Sequence, residues 1–243
     1  MRMLAFAKRC MKEILRDPIN LFFGLGFPVV LLLLLSAIQA NVPVPIFEIE
    51  SLTPGITVFG LSFMTLFSAT LVARDRESAF LQRLYTTPLK SADYILGYML
   101  PLVPIAIEQG AICYIVAILL GLTISINILY AILMIAPVAI FYIALGLLFG
   151  SILNVKQVGG ICGGLLTNLS AWLSGAWFDI QLIGGAFQKI ANILPFIHAV
   201  ELEKAVINGN FTEALEHLYV VLAYGIVVSV GAIILFLRQA KKQ

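Results

Sequence analysis

Six apolar runs leave this chain of 243 residues little to fold with outside a bilayer. They lie at about 20–39, 53–73, 94–121, 127–152, 157–177 and 217–237. Each matches or exceeds the roughly 20 residues of helix that cross a hydrocarbon core. A bilayer accepts only helices or closed barrels as spanning structures, because every backbone polar group must be satisfied internally. The runs lack the alternation of barrel strands, so they are read as helices and the fold class as all-α membrane protein. Composition agrees: 61% of residues are hydrophobic and 12% charged, and the mean hydropathy is +1.03. A soluble domain carries about a quarter charged residues. The first run resembles a signal sequence in position only. It is long, lacks a small-residue cleavage site and follows an amphipathic segment, so it is read as a retained helix.

The basic residues orient the runs. Of 15 Lys and Arg residues, 13 fall on one side of a six-span arrangement: Arg2, Lys8, Arg9, Lys12, Arg16, Arg74, Arg76, Arg83, Lys90, Lys156, Arg238, Lys241 and Lys242. Only Lys189 and Lys204 are left on the other. Positive charge stays on the cytoplasmic side, so both termini are expected there. The net charge of +2 carries no basic patch beyond these flanks, which argues against nucleic-acid binding. Cys10, Cys113 and Cys162 lie before or within the apolar runs, so no disulfide framework is expected.

The polar stretches carry the finer detail. Residues 3–16 are amphipathic, with Met3, Leu4, Phe6, Ala7, Cys10, Met11, Ile14 and Leu15 on one face and Lys8, Arg9, Lys12, Glu13 and Arg16 on the other. A basic amphipathic helix lies in the membrane interface. Asp17-Pro18 should end it, and Asn20 should cap the first span. Thr53-Pro54 reads as the cap and first position of the second span. In the inner loop, Asp75 should cap a short amphipathic helix ending near Tyr85, with Phe80, Leu84 and Tyr85 on its apolar side and Arg76, Glu77 and Arg83 on its polar side. This is either a docking element or a solvated turn. Between the fifth and sixth runs, 186–194 and 196–207 form two half-helices broken at Pro195, a hairpin dipping into the outer leaflet.

Within the runs, Phe59, Phe63 and Phe67 recur every four residues, either packing or lining a path, with Asn168 a further polar candidate. Glu108 lies far from either end of its run, one turn after Pro104. An ionisable group at that depth is a functional candidate by default, the rival being a structural hydrogen bond. The expectation is a neutral carboxyl bonded to the carbonyl of Leu100 or to another helix. Gly159, Gly160, Gly163 and Gly164 form small-xxx-small pairs suited to close helix contact, within the subunit or across a dimer. His198, Glu201 and Glu203 suggest a metal, but the order H-x-x-E-x-E has no second histidine near it, and no metal is expected. No G-x-x-x-x-G-K-[ST] phosphate loop occurs, so the chain is not read as an enzyme.

The stretch LTPGITVFGLSF…LVARDRESAFLQRLYTTPLKSADYILGYML resembles the permease subunits of type-2 ATP-binding-cassette exporters. The match runs through Pro54, Gly55 and Ile56, then Arg76, Glu77, Arg83, Leu84, Thr86, Thr87 and Pro88, with Ser78-Ala79 in place of the family's Gly-Thr. LSGAWF…IANILPFIHAVELEKAV matches a second family region, with Glu203 or Lys204 where an arginine is usual. The resemblance implies one permease domain over 1–243, an interfacial helix at 1–18, six transmembrane helices, a coupling segment at 74–87 and a re-entrant outer hairpin within 178–216. It implies a second copy or a related permease, and a separate ATPase that carries the ATP and magnesium. It also implies a bacterial inner (plasma) membrane. The implied cargo is an amphipathic drug-like, lipid or peptide compound, with a glycan as the alternative. A proton-coupled transporter using Glu108 is a third reading.

Overall fold

The computed structural model describes residues 2–42, 47–78, 91–178 and 180–240. Among these the regular structure is helical throughout. Helix α1 is Arg2–Leu15 and α2 is Pro18–Gln39, whose Phe22–Gly26 turn widens to π geometry. They are followed by α3 (Ile49–Glu77), α4 (Ser91–Leu119) and α5 (Ile126–Ile152). Helix α6 covers 155–174, with a π stretch at Gly159–Leu166. The chain closes with α7 (Gly185–Ile193), α8 (Pro195–Ile207) and α9 (Phe211–Ala240).

Among the described residues, five helical stretches are long and apolar enough to cross a membrane: Pro18–Gln39, Ile49–Glu77, Asp93–Leu119, Ile126–Ile152 and Phe211–Phe236. The fifth predicted run, 157–177, is helical to Ser174 but is not among them. The helices alternate in direction. Asp75, near the end of α3, meets α1 at one end of the bundle, and Asn127, at the start of α5, meets the carbonyl of Ile207 at the other.

The boundaries depart from expectation where side chains chose other partners. Asp17, not Asn20, caps α2: it accepts from the Asn20 backbone N–H at 3.2 Å and from its amide at 2.9 Å. Thr53 lies inside α3, not at its cap, and its hydroxyl donates to the carbonyl of Ile49 at 2.6 Å. Asp75 lies inside α3 too, so the helix runs four residues past the predicted span, to Glu77.

Helix α3 is the core, buried along nearly its whole length. Its closest neighbour is α5. A Cβ added to Gly146 would run into the Ser68 hydroxyl and the Thr65 carbonyl, and one at Gly150 would sit 2.6 Å from the carbonyl of Ala69. Such contact exposes backbone to hydroxyls across the crossing: Thr65 donates to Tyr142 O at 2.9 Å, and Ser68 lies 3.0 Å from Ile143 O. Small residues and interhelical hydrogen bonds are how helices associate where lipid offers no hydrophobic driving force. Overpacking a tight core costs about 1–3 kcal/mol, and here the clash is with backbone. Gly146→Leu should therefore reduce the yield of folded, monodisperse protein severely, as size-exclusion chromatography in detergent would show.

The glycines singled out by spacing behave differently. Gly163 faces Leu66, whose side chain would lie 3.3 Å from an added Cβ, whereas Gly159, Gly160 and Gly164 face open space within this chain. Phe59, Phe63 and Phe67 are buried in packing. Phe63 stacks on Phe23 with centroids 6.1 Å apart, Phe59 meets Trp177 edge-on at 5.0 Å, and Phe67 lies over Gly24.

Candidate functional site: an anchored end of α3 and a cavity at the opposite end

The last turns of α3 gather four other helices. Asp75 is buried, with both carboxylate oxygens taken by the Arg9 guanidinium, Oδ1 at 2.6 Å, while Tyr98 on α4 donates to Oδ2 at 2.7 Å. Such bidentate, charge-assisted geometry is the strong form of an ion pair. Arg9 also meets Glu13 at 2.8 Å, and Arg74 meets Asp17 at 3.3 Å. Arg76 donates to the carbonyls of Gly150 and Leu153, at 2.8 and 3.1 Å, where α5 ends. Glu77 accepts from the backbone N–H of Val155 at 2.9 Å, where α6 begins. Two predicted docking residues, Arg76 and Glu77, are thus engaged within the chain. Phe80, Arg83, Leu84 and Tyr85 lie outside the described residues.

Apolar packing holds α1 in the same place. Phe6 meets Tyr98 edge-on at 4.9 Å and fills the space over Gly97. Cys10 is fully buried beneath the ion pair, and burial pushes its thiol up to about 12. Such a thiol is inert at neutral pH. Burial likewise raises the Glu13 carboxyl, with Arg9 opposing the shift.

At the middle of α4 the polar roles are exchanged relative to the sequence reading. Glu108 is exposed on a stripe with Leu100, Pro104 and Ile115, and it makes no hydrogen bond to the Leu100 carbonyl or to another described residue. Its neighbour Gln109 is the buried group, donating to Thr57 O at 3.4 Å and lying 3.3 Å from Cys113 Sγ. Asn168 is exposed on α6, its amide turned back to the carbonyl of Gly164 at 2.7 Å.

At the opposite end, α7, α8 and the start of α9 enclose a cavity of about 530 Å³ whose lining includes Ser174, Gln188, Asn192, His198, Glu201 and His217. The expected neighbours of His198 separate here. Glu201 pairs with Lys204 at 2.9 Å, whereas Glu203 turns inward, wholly buried, and accepts from Tyr114 at 2.8 Å. A second histidine does lie near it in the fold: His217, from α9, places Nδ1 2.9 Å from Nδ1 of His198. Sequence spacing held no signal for that meeting. Among the described residues no three His, Cys, Asp or Glu groups are placed together to hold a metal ion.

Burial pushes Glu203 up to about 8, the Tyr114 hydrogen bond working the other way. An acid with a raised folded pKa stabilises the fold in its protonated form. That contribution is complete below the ordinary carboxylate value of 4.5 and is lost as pH rises through about 8. The melting temperature should therefore fall between about pH 5 and about pH 9 by several degrees more in the wild type than in Glu203→Gln, each kcal/mol being worth about 2–4 °C. Parallel thermal-shift curves for the two proteins would contradict the assignment.

Comparison with known proteins gives the frame for these two ends. The chain is similar to Nodulation protein J of Rhizobium meliloti (strain 1021), 24% identical over 198 residues, covering 72% of this chain and 76% of the relative. It is similar to Nodulation protein J of Rhizobium leguminosarum bv. viciae as well, 25% identical over 198 residues with the same coverage. The description "ABC-2 type transporter" matches residues 1–207, which include the anchored end of α3, the π-containing α6, and α7 and α8. The chain therefore belongs to the ABC-2 type transporter family of multi-pass membrane proteins.

Proposed function

We propose that this chain is the membrane subunit of an ATP-driven exporter. It crosses the inner (plasma) membrane of a bacterial cell six times, with α6 as the fifth span and both termini in the cytoplasm. The hairpin of α7 and α8 re-enters the membrane from the outer side. A separate ATPase binds the ATP and magnesium and docks on segment 74–87. The reading is carried by the buried Arg9–Asp75–Tyr98 cluster. It makes the end of α3, from which that segment departs, a base tied to α1, α4, α5 and α6. Motion imposed there by an ATPase would be passed to the spans instead of being absorbed in a loose turn.

Two copies would meet along α2 and α6. Both leave apolar or small residues uncovered in one subunit, including Val30, Leu33 and Leu34 on α2 and Gly159, Gly160 and Gly164 on α6. The path would run between the copies, near α2, α3 and α6, for an amphipathic drug-like, lipid or peptide cargo. A glycan is the second reading, favoured by the amides and carboxylates of the outer cavity. A proton-coupled cycle is disfavoured, because Glu108 lies exposed on the side of α4, away from the buried polar groups of the bundle.

The test is reconstitution of the chain with an ATPase subunit in proteoliposomes. Cargo-stimulated ATP hydrolysis and ATP-dependent uptake into inside-out vesicles are expected. Uptake driven by a pH gradient without ATP would refute the proposal.

A further inference from the structure

The chain contains two histidines, and folding brings both to one wall of the outer cavity. They come from different elements, 19 positions apart, with their Nδ1 atoms 2.9 Å from each other and ring centroids at 5.1 Å. Nε2 of His198 lies 2.9 Å from the carbonyl oxygen of Asn192. A carbonyl only accepts, so Nε2 carries the proton of neutral His198 and Nδ1 presents a lone pair. His217 then donates its proton from Nδ1. A single proton holds the two imidazole nitrogens together.

We propose that His198 and His217 form a binding site for a divalent zinc, copper or nickel ion, which takes the place of that proton. Imidazole suits these cations. The step balances without redox chemistry or net proton release. The His217 proton moves through water from Nδ1 to Nε2, both Nδ1 lone pairs bind the cation, and both rings stay neutral.

The surroundings fit this step. A metal-bound imidazole commonly directs its other N–H to a carbonyl or carboxylate, which fixes the tautomer. For His198 that partner is the Asn192 carbonyl. For His217 the carboxylate of Glu213 lies 4.0 Å from Nε2. Nitrogens about 2.0–2.1 Å from a tetrahedral ion lie roughly 3.4 Å apart, so the rings would part by about half an ångström and tilt to aim both Nδ1 atoms at the ion. The remaining coordination positions face the cavity, where water is available and Glu201 and Glu213 offset the added charge. The ion would tie the end of α7 and the first turn of α8 to α9. This site is independent of which cargo the exporter carries.

The test uses the full-length chain without a histidine tag, in lipid nanodiscs. Copper(II) is titrated in and followed by electron paramagnetic resonance, with a His198→Ala/His217→Ala double variant as background. One copper per chain is expected, with hyperfine structure from two imidazole nitrogens, and zinc should compete for it. His198→Ala and His217→Ala should each leave at most one nitrogen and weaken binding at least tenfold. A wild-type spectrum without the two-nitrogen pattern, or that pattern persisting in either variant, overturns the proposal. A second measurement needs no variant: zinc should slow hydrogen exchange across 195–217 of the wild-type chain, and unchanged exchange at saturating zinc likewise overturns it.

Discussion

On the proposed function, Leu84→Asp is expected to abolish ATP-driven transport and to release the chain from the ATPase, while the membrane domain still folds. The sequence pattern of the segment that follows α3 gives Phe80, Leu84 and Tyr85 as its apolar side. Buried apolar and aromatic anchors dominate protein contacts, each costing about 2 kcal/mol or more when lost, whereas charges at the rim contribute little. Aspartate at such an anchor also places an unpaired carboxylate in the interface. A loss of 2 kcal/mol is about thirty-fold in affinity, so co-purification with the ATPase should fail. Arg83→Ala, on the polar side of the same sequence pattern, should reduce association only slightly. Normal assembly and transport in Leu84→Asp would remove segment 74–87 from the coupling role.

Asp75→Ala is expected to free α1 from the bundle. The substitution leaves the Arg9 guanidinium without its bidentate partner and the buried Tyr98 hydroxyl without its acceptor. Removing one member of a buried pair costs about 3–5 kcal/mol. Arg9 keeps a side-chain exposure of 36%, so water recovers part of that loss and about 2 kcal/mol is the fitting scale here. Cys10 gives a direct readout because it lies buried beneath the pair. In the wild type it should resist maleimide. In Asp75→Ala it should react at least tenfold faster, with Cys113 and Cys162, both buried, as the unreactive background. Asp75→Asn still accepts from Tyr98 and should lie between the two. Unchanged Cys10 reactivity in Asp75→Ala would show that Phe6, Cys10 and Ile14 hold α1 unaided.

Both predictions start from the segment the sequence marked as informative, yet they differ in how much of it was legible. The apolar side of 80–85 is a one-dimensional pattern and can be read from the residues. Asp75 could not be read in this way. As a residue near the end of an apolar run it looked like a cap, and only the packing of α1 against α3 and α4 turned it into a buried acceptor.

The same division holds through the molecule. Run length, hydropathy and the 3.6-residue period determined the helical class, the amphipathic α1, the long helices within a few residues of their ends and the break at Pro195. These depend on a residue's own transfer energy and its neighbours along the chain. Contacts across the bundle depend on each helix's rotation and axial register, which the short-range pattern leaves open. A rotation of about 100° separates adjacent residues on a helix, and it decided that Gln109, not Glu108, faces the core. Register put Gly146 and Gly150 against α3 and left Gly159, Gly160 and Gly164 uncovered. It turned Glu203 inward to Tyr114, and it brought two histidines 19 positions apart to within 2.9 Å.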